Sequence, residues 1–293
     1  MEQLERPEWI RAKVSWDNNT NDIFSLVKDK GLHSVCEEAA CPNRGECWHR
    51  RHVTFMILGD TCTRGCRFCN VKYGAKGSHN REEPRLIGEA VKELGAEYVV
   101  LTSVTRDDLP DGGASHFTNT VNAVKRSSPG VLVELLVPDL GSRQVPIKQI
   151  ISSDAVVIGH NIEMPEDLYP QVRPRSDYRR SLKTLRLLAS EKGPEANIMV
   201  KSSLILGLGE SRDQIRKTLK DLFAAGAEIV YLGQYLSPSR EHYPVKKYYS
   251  PEEFDDMRAE AMEMGFKSVM SSPLVRSSYR AGEAYSNAVA RTA

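Results

Sequence analysis

Six cysteines, Cys36, Cys41, Cys47, Cys62, Cys66 and Cys69, fall within a 34-residue window, and the 224 residues that follow contain none. A set so concentrated serves something local. Three disulfides would suit a short secreted domain, but this chain is long, and staples confined to one-ninth of it would brace little. Zinc takes paired cysteines with a second pair or histidines, and His49 and His52 could complete a set with Cys47. The spacing of the second triplet, Cys62-Thr-Arg-Gly-Cys66-Arg-Phe-Cys69, favours iron and sulfur. Three thiolates on one tight loop can grip three corners of a cubane cluster whose full complement is four. One iron is then open to a substrate or a small chelator, as the open position of a catalytic zinc is. The first triplet, Cys36-Glu-Glu-Ala-Ala-Cys41-Pro-Asn-Arg-Gly-Glu-Cys47, fits a zinc loop, three buried thiols or a second cluster. Beside a cluster site, the second cluster is the better reading.

Such groups need a scaffold. Apolar, β-branched runs occur at 53–58, 97–103, 131–137, 154–159, 197–205 and 228–234, and helical patterns follow at 83–94, 114–127, 143–152, 177–191, 211–225 and 251–264. Six βα units predict an α/β fold, an incomplete parallel (β/α)6 barrel. An open doubly wound sheet is the alternative, but a cysteine loop stands after the first strand where that fold carries GxGxxG. Reactive groups of parallel α/β folds sit at the carboxyl ends of strands, where this loop lies. Residues 1–52 read as an N-terminal extension carrying the first cysteine loop and a helix near 20–30, residues 53–265 as the barrel, and 266–293 as a C-terminal segment.

Lys and Arg number 40 against 39 Asp and Glu, a net charge of +1, so no bulk attraction to nucleic acid or anionic membrane is expected. With 40% hydrophobic and 27% charged residues the proportions are globular. No run approaches the roughly 18 apolar residues of a membrane span. The opening residues include acids and lack an apolar targeting core, so a soluble, cytoplasmic protein is expected. Reducing surroundings would keep the thiols free.

The CxxxCxxC triplet resembles the signature of the radical S-adenosylmethionine (SAM) superfamily. Both triplets together, with Cys-Glu-Glu-Ala-Ala-Cys-Pro-Asn at 36–43 and Thr-Phe-Met-Ile-Leu-Gly at 54–59, resemble those of the lipoyl synthases, and the likeness extends over roughly residues 7–281. The resemblance implies two 4Fe-4S clusters, one held by Cys62, Cys66 and Cys69 with SAM on the open iron, and an auxiliary one held by Cys36, Cys41 and Cys47. In an Arg-Ser-Ser-Tyr motif, here at 276–279, it makes Ser278 the auxiliary cluster's oxygen ligand, a labile corner because hard oxygen suits such iron less well than sulfur. The implied reaction inserts sulfur at carbons 6 and 8 of a protein-bound octanoyl-lysine, a sulfurtransferase chemistry for which no ordinary acid or base suffices. The implied partners are octanoylated lipoyl carrier domains, of 2-oxoacid dehydrogenase E2 subunits or glycine cleavage H protein, and a reductant such as ferredoxin or flavodoxin.

Candidate SAM contacts follow the strand ends. Phe68 offers either a face to an aromatic ring or one more packed side chain. Asp107, with Asp108 and Asp111, lies in the loop after the second strand, where turn formation competes with a role beside the SAM ammonium, and the Gly-Gly-Glu sequence frequent there is missing. His160, Asn161 and Glu163 supply donors and acceptors suited to a ribose or an amino acid. Arg173 opens a basic stretch with Arg175, Arg179, Arg180 and Lys183; it would face the SAM carboxylate, the others an acidic carrier domain. Glu210 closes Gly-Leu-Gly-Glu at 207–210, similar to the SAM-holding glycine segment of such barrels, and 233–240 would shape the substrate side. Lys-Ser-Ser-Leu-Ile at 201–205 departs from the family pattern, which often has glycine after the first serine. A different radical SAM sulfurtransferase or methylthiotransferase, and an iron–sulfur electron carrier, are the competing readings.

Overall fold

A computed structural model describes residues 4–12, 17–193 and 197–292. Seven strands run parallel: β2 (Thr54–Ile57), β5 (Tyr98–Ser103), β6 (Leu132–Leu136), β7 (Val157–Gly159), β8 (Met199–Leu206), β9 (Ile229–Gln234) and β10 (Ser268–Ser272). They are hydrogen-bonded in chain order, and β1 (His33–Ser34) adds antiparallel to β2 at one edge. Because β1 and β10 do not pair, the barrel is incomplete. A separate two-strand ribbon joins β3 (Thr61–Cys62) to β4 (Lys72–Tyr73).

Strands covered on both faces need apolar residues on both, which is why the runs are nearly continuous rather than alternating. The crossovers are α4 (Glu83–Leu94), α5 (Ala114–Ser127), α6 (Gln144–Ile151), α8 (Tyr178–Glu191), α9 (Arg212–Ala224) and α10 (Pro251–Glu263). Their starts are written locally: Ser211 with Gln214 and Ser250 with Glu253 form reciprocal capping boxes, and the Asp177 side chain accepts from the Arg180 amide. A short α7 (Tyr169–Val172) follows β7.

All six anticipated βα units are present. The seventh strand was not anticipated, because Ser-Val-Met-Ser-Ser lacks the β-branched apolar signature; pairing with β9 makes it a strand. The expected C-terminal segment therefore contributes a sheet strand rather than beginning outside the barrel. It ends in a helix, α11 (Ala281–Ala290), which packs against β5, β9 and β10 and so crosses the amino-terminal end of the barrel. A small apolar cluster of Val157, Met199, Ile229, Tyr231, Val275, Ala284 and Ala288 seals that end. The extension contributes α1 (Asn18–Asp29), α2 (Val35–Glu38) and α3 (Arg44–His49), and its β1 is part of the main sheet. Of the 1–52 stretch, residues 1–3 and 13–16 lie outside the described residues.

Inside the sheet lies an ion pair. Lys201 Nζ donates to Glu134 Oε1 at 2.6 Å, each side chain being 2% exposed, and the Tyr98 hydroxyl donates to Glu134 Oε2 at 2.7 Å. The ammonium also sits 3.9 Å from the centre of the Tyr231 ring.

Candidate functional site

A cavity of about 1370 Å³ runs through the barrel, and all six cysteines line it. Its wall follows β5 from Tyr98 to Ser103 and on to Thr105. Five steps along a parallel strand span roughly 16 Å, so the two ends of the cavity are well separated. Between them the wall is mostly apolar, including Met56, Val100, Leu132, Leu136 and Leu204.

The Cys62–Cys69 loop occupies the carboxyl end. Backbone bonds pin it to three neighbours: the Thr63 amide donates to Thr105 O at 3.0 Å, the Arg67 amide to Val172 O at 2.9 Å, and the Tyr243 amide to Arg67 O at 2.8 Å. Gly65 has φ +59°, and a Cβ there would stand 2.8 Å from the Tyr73 ring, so only glycine fits beneath that ring. Burial pushes the Cys69 thiol up to about 12, and the charges of Cys66 and Cys62 push the same way. Phe68 is half-buried against the core and borders the cavity.

The first triplet occupies the opposite end. Cys36 lies beside Thr54, the first residue of β2, whose amide favours its thiolate; burial and the neighbouring Cys41 nevertheless push it up to about 12. Burial, Cys36 and Cys41 likewise raise Cys47. The C-terminal segment closes over these thiols. The Thr54 hydroxyl donates to Ser278 Oγ at 2.8 Å, Asn43 Nδ2 to Leu274 O at 2.6 Å, and the Tyr279 hydroxyl to Glu46 Oε1 at 3.0 Å. A Cβ on Gly233 would stand 2.0 Å from Val275 O, so the segment can cross β9 only over a glycine. Arg276 is half-buried beside Cys41.

Among the described residues no three histidines, cysteines or acids converge on a point as a single metal ion requires. A cubane instead takes one thiolate at each iron corner, so its ligands stand apart around it. Two sets of three mutually interacting thiols suit that arrangement better than they suit zinc. Near the Cys62–Cys69 loop, Asn161 Oδ1, Arg173 Nε and Ser103 Oγ are buried without a partner among the described residues, and all three residues line the cavity. Buried polar atoms are normally paired, so these fit a polar ligand lying over the loop. Burial raises the Glu163 carboxyl on the same wall, with Arg173 and Asn161 acting the other way.

Other anticipated contacts lie elsewhere. Asp107 does not border this cavity; it binds Arg64 and the Thr63 hydroxyl, which hold it below the usual range although burial acts against them. The Glu210 carboxylate is also off the cavity, accepting from the Gly207 and Leu208 amides at 2.6 and 2.9 Å and so tying its own glycine turn. His160 Nδ1 bonds Val137 O at 2.9 Å, and burial pushes its imidazole down to about 4. Arg179 pairs with Glu166 and Arg180 with Asp139, so the basic stretch is partly spent within the chain. Conversely, Thr54, Tyr98, Arg64 and Arg276 border the cavity and were not singled out. Arg64, Arg276 and Thr54 sit inside the cysteine, Arg-Ser-Ser-Tyr and Thr-Phe-Met-Ile-Leu-Gly motifs, a signal that was present; Tyr98 is an ordinary strand residue and carried none.

Residues 56–222 match the Radical SAM superfamily model. A lipoyl synthase of Caldicellulosiruptor saccharolyticus is 45% identical over 283 residues, 97% of this chain and 98% of that protein. One of Thermus thermophilus is 46% identical over 288 residues, 98% of this chain and 88% of that one. Among solved structures, methylornithine synthase aligns with TM-score 0.55 at 15% identity, covering 86% of this chain and 74% of that one. A maturase of the [FeFe]-hydrogenase gives 0.57 at 15%, covering 73% and 50%. The structural matches concern the fold.

Proposed function

The chain belongs to the lipoyl synthase family of radical SAM enzymes, and from that premise we propose which of its residues carry the activity. It is a sulfurtransferase that uses two 4Fe-4S clusters and SAM to place sulfur at carbons 6 and 8 of an octanoyl group carried on a lysine of a lipoyl carrier protein. The chemistry supplied by the bound groups is one-electron cleavage of SAM to a hydrogen-abstracting 5′-deoxyadenosyl radical and donation of sulfur from the auxiliary cluster.

Cys62, Cys66 and Cys69 hold the cluster with the open iron, and Cys36, Cys41, Cys47 and Ser278 hold the other. Asn161 and Arg173 orient SAM through their unpartnered atoms above the loop, Glu163 flanks them on the same wall, and Phe68 lies beneath. Met56, Val100, Leu132, Leu136 and Leu204 exclude water and take the acyl arm between the two thiol sets. The observation that carries this reading is that one cavity is lined by both triplets and by Ser278. Octanoylated domains of 2-oxoacid dehydrogenase E2 subunits or glycine cleavage H protein are the proposed carriers, ferredoxin or flavodoxin the reductant and the cytoplasm the compartment, whose reducing conditions suit free thiols. Residues 1–52 and the C-terminal segment from 266 wrap the barrel of 53–265, and each also lends it an edge strand, β1 and β10.

The test is mass spectrometry of an octanoyl-lysine peptide incubated anaerobically with reconstituted protein, SAM and dithionite, with 5′-deoxyadenosine scored alongside. The peptide gains one and then two sulfurs, and Cys41→Ala abolishes the gain while deoxyadenosine persists. Deoxyadenosine without sulfur from doubly reconstituted protein would move the substrate to another sulfurtransferase class.

A further inference from the structure

We propose that Arg64, the residue midway between Cys62 and Cys66, is the positioning residue of the open-iron site: it ties the thiolate loop to three surrounding segments and contacts no ligand itself. The inference rests on Cys62, Cys66 and Cys69 holding such a cluster. A guanidinium has five N–H donors, and here every one is used. Nε donates to Asp107 Oδ2 at 2.5 Å and Nη2 to Asp107 Oδ1 at 2.7 Å. Nη2 also donates to Asp139 Oδ1 and Nη1 to Asp139 Oδ2, both at 3.0 Å, and Nη1 reaches Arg175 O at 3.1 Å.

The partners come from different places. Asp107 follows β5, Asp139 follows β6, and Arg175 lies between α7 and α8. Asp139 takes a further bond from Arg180 Nε at 2.8 Å, so two cations and two carboxylates balance. The Arg64 side chain is 8% exposed and that of Asp139 is 5% exposed. Charge-assisted bidentate pairs fix geometry as well as energy, and this double fork holds the loop in register with the β5 and β6 ends and with the chain that follows α7, which begins at Arg173. Although Arg64 borders the cavity, it has no donor left for a ligand. Asp107 therefore acts through Arg64. Lysine, a point charge with three donors, cannot span two carboxylates and a carbonyl.

The experiment compares wild-type protein with Arg64→Lys and Asp107→Asn, each reconstituted anaerobically. Iron, acid-labile sulfide, circular dichroism and the electron paramagnetic resonance of the reduced protein are read with and without SAM. The first triplet serves as internal control. In Arg64→Lys, iron falls from about eight to about four per chain, the SAM-induced change in the spectrum disappears, and the circular dichroism and the remaining cluster are unchanged. Asp107→Asn, at a half-exposed partner, keeps its iron and weakens the SAM response severalfold. If Arg64→Lys loses both clusters, Asp107→Asn decides: a wild-type SAM response there overturns the proposal. Full iron with a wild-type response in Arg64→Lys, or loss confined to the first triplet, also overturns it. Absence of any SAM response in wild-type protein would instead refute the open-iron reading beneath it.

Discussion

The Thr54 hydroxyl donates a 2.8 Å hydrogen bond to Ser278 Oγ across 224 residues of sequence. Thr54 begins β2, and its amide lies beside Cys36, so one residue addresses both the first thiol triplet and the C-terminal segment. On the proposed ligation by Ser278, the bond from Thr54 would orient its oxygen as an outer partner orients a metal ligand.

Replacing Thr54 by valine removes that bond while nearly conserving volume. Stability should fall by about 1 kcal/mol, and the auxiliary cluster should lose iron to a chelator about tenfold faster. Ser278→Cys should act oppositely, slowing iron loss and sulfur transfer while leaving deoxyadenosine formation intact. Timed chelation followed by absorbance, alongside peptide mass spectrometry, distinguishes the pair.

The Glu134–Lys201 pair should be severe to break and mild to replace. Glu134→Gln or Lys201→Met leaves one buried group unpaired and should cost about 3–5 kcal/mol. The double change Glu134→Leu with Lys201→Met should recover most of that loss. Denaturant midpoints of the three variants measure it; equal destabilisation by single and double changes would contradict the coupling.

His160 predicts an acid-side weakness. Its folded value, pushed down to about 4 by burial, lies below the ordinary 6.5, so between those values the unfolded chain binds more protons. Stability is therefore full above about pH 6.5 and is lost as pH falls toward 4, by about 3 kcal/mol in all. In His160→Gln the decline between pH 7 and 5 should be shallower, as thermal melts across that range would reveal.

The thiols predict a slope of the same sign for loading, at higher pH. With Cys36 and Cys69 pushed up to about 12, both are protonated at neutral pH and must release protons to bind iron. Reconstitution should accelerate between pH 7 and 9. A rate independent of pH, followed by the visible absorbance of the forming clusters, would show the thiols ionising more readily than burial implies.

Much of the fold was legible because βα units declare themselves locally. Covered strands need apolar β-branched runs, and helix starts such as Ser211 with Gln214 and Ser250 with Glu253 carry their own caps. β10 was hidden because three of its five residues are serines that become a strand only against β9. Asp107 illustrates a second limit. Nothing nearby in the sequence shows that Arg64, 43 residues earlier, competes for its carboxylate.

By itself the sequence determined the thiol chemistry, the six repeated units and the end of the first strand at which the CxxxCxxC loop stands, since all depend on spacing and residue type along short stretches. Only the tertiary structure decided that Ser278 comes to Thr54, that both triplets share one cavity, and that Arg64 rather than a ligand claims Asp107. Those pairings depend on how far the open sheet curls and on which of several donors reaches an acceptor first, and neither quantity is written in any local run of residues.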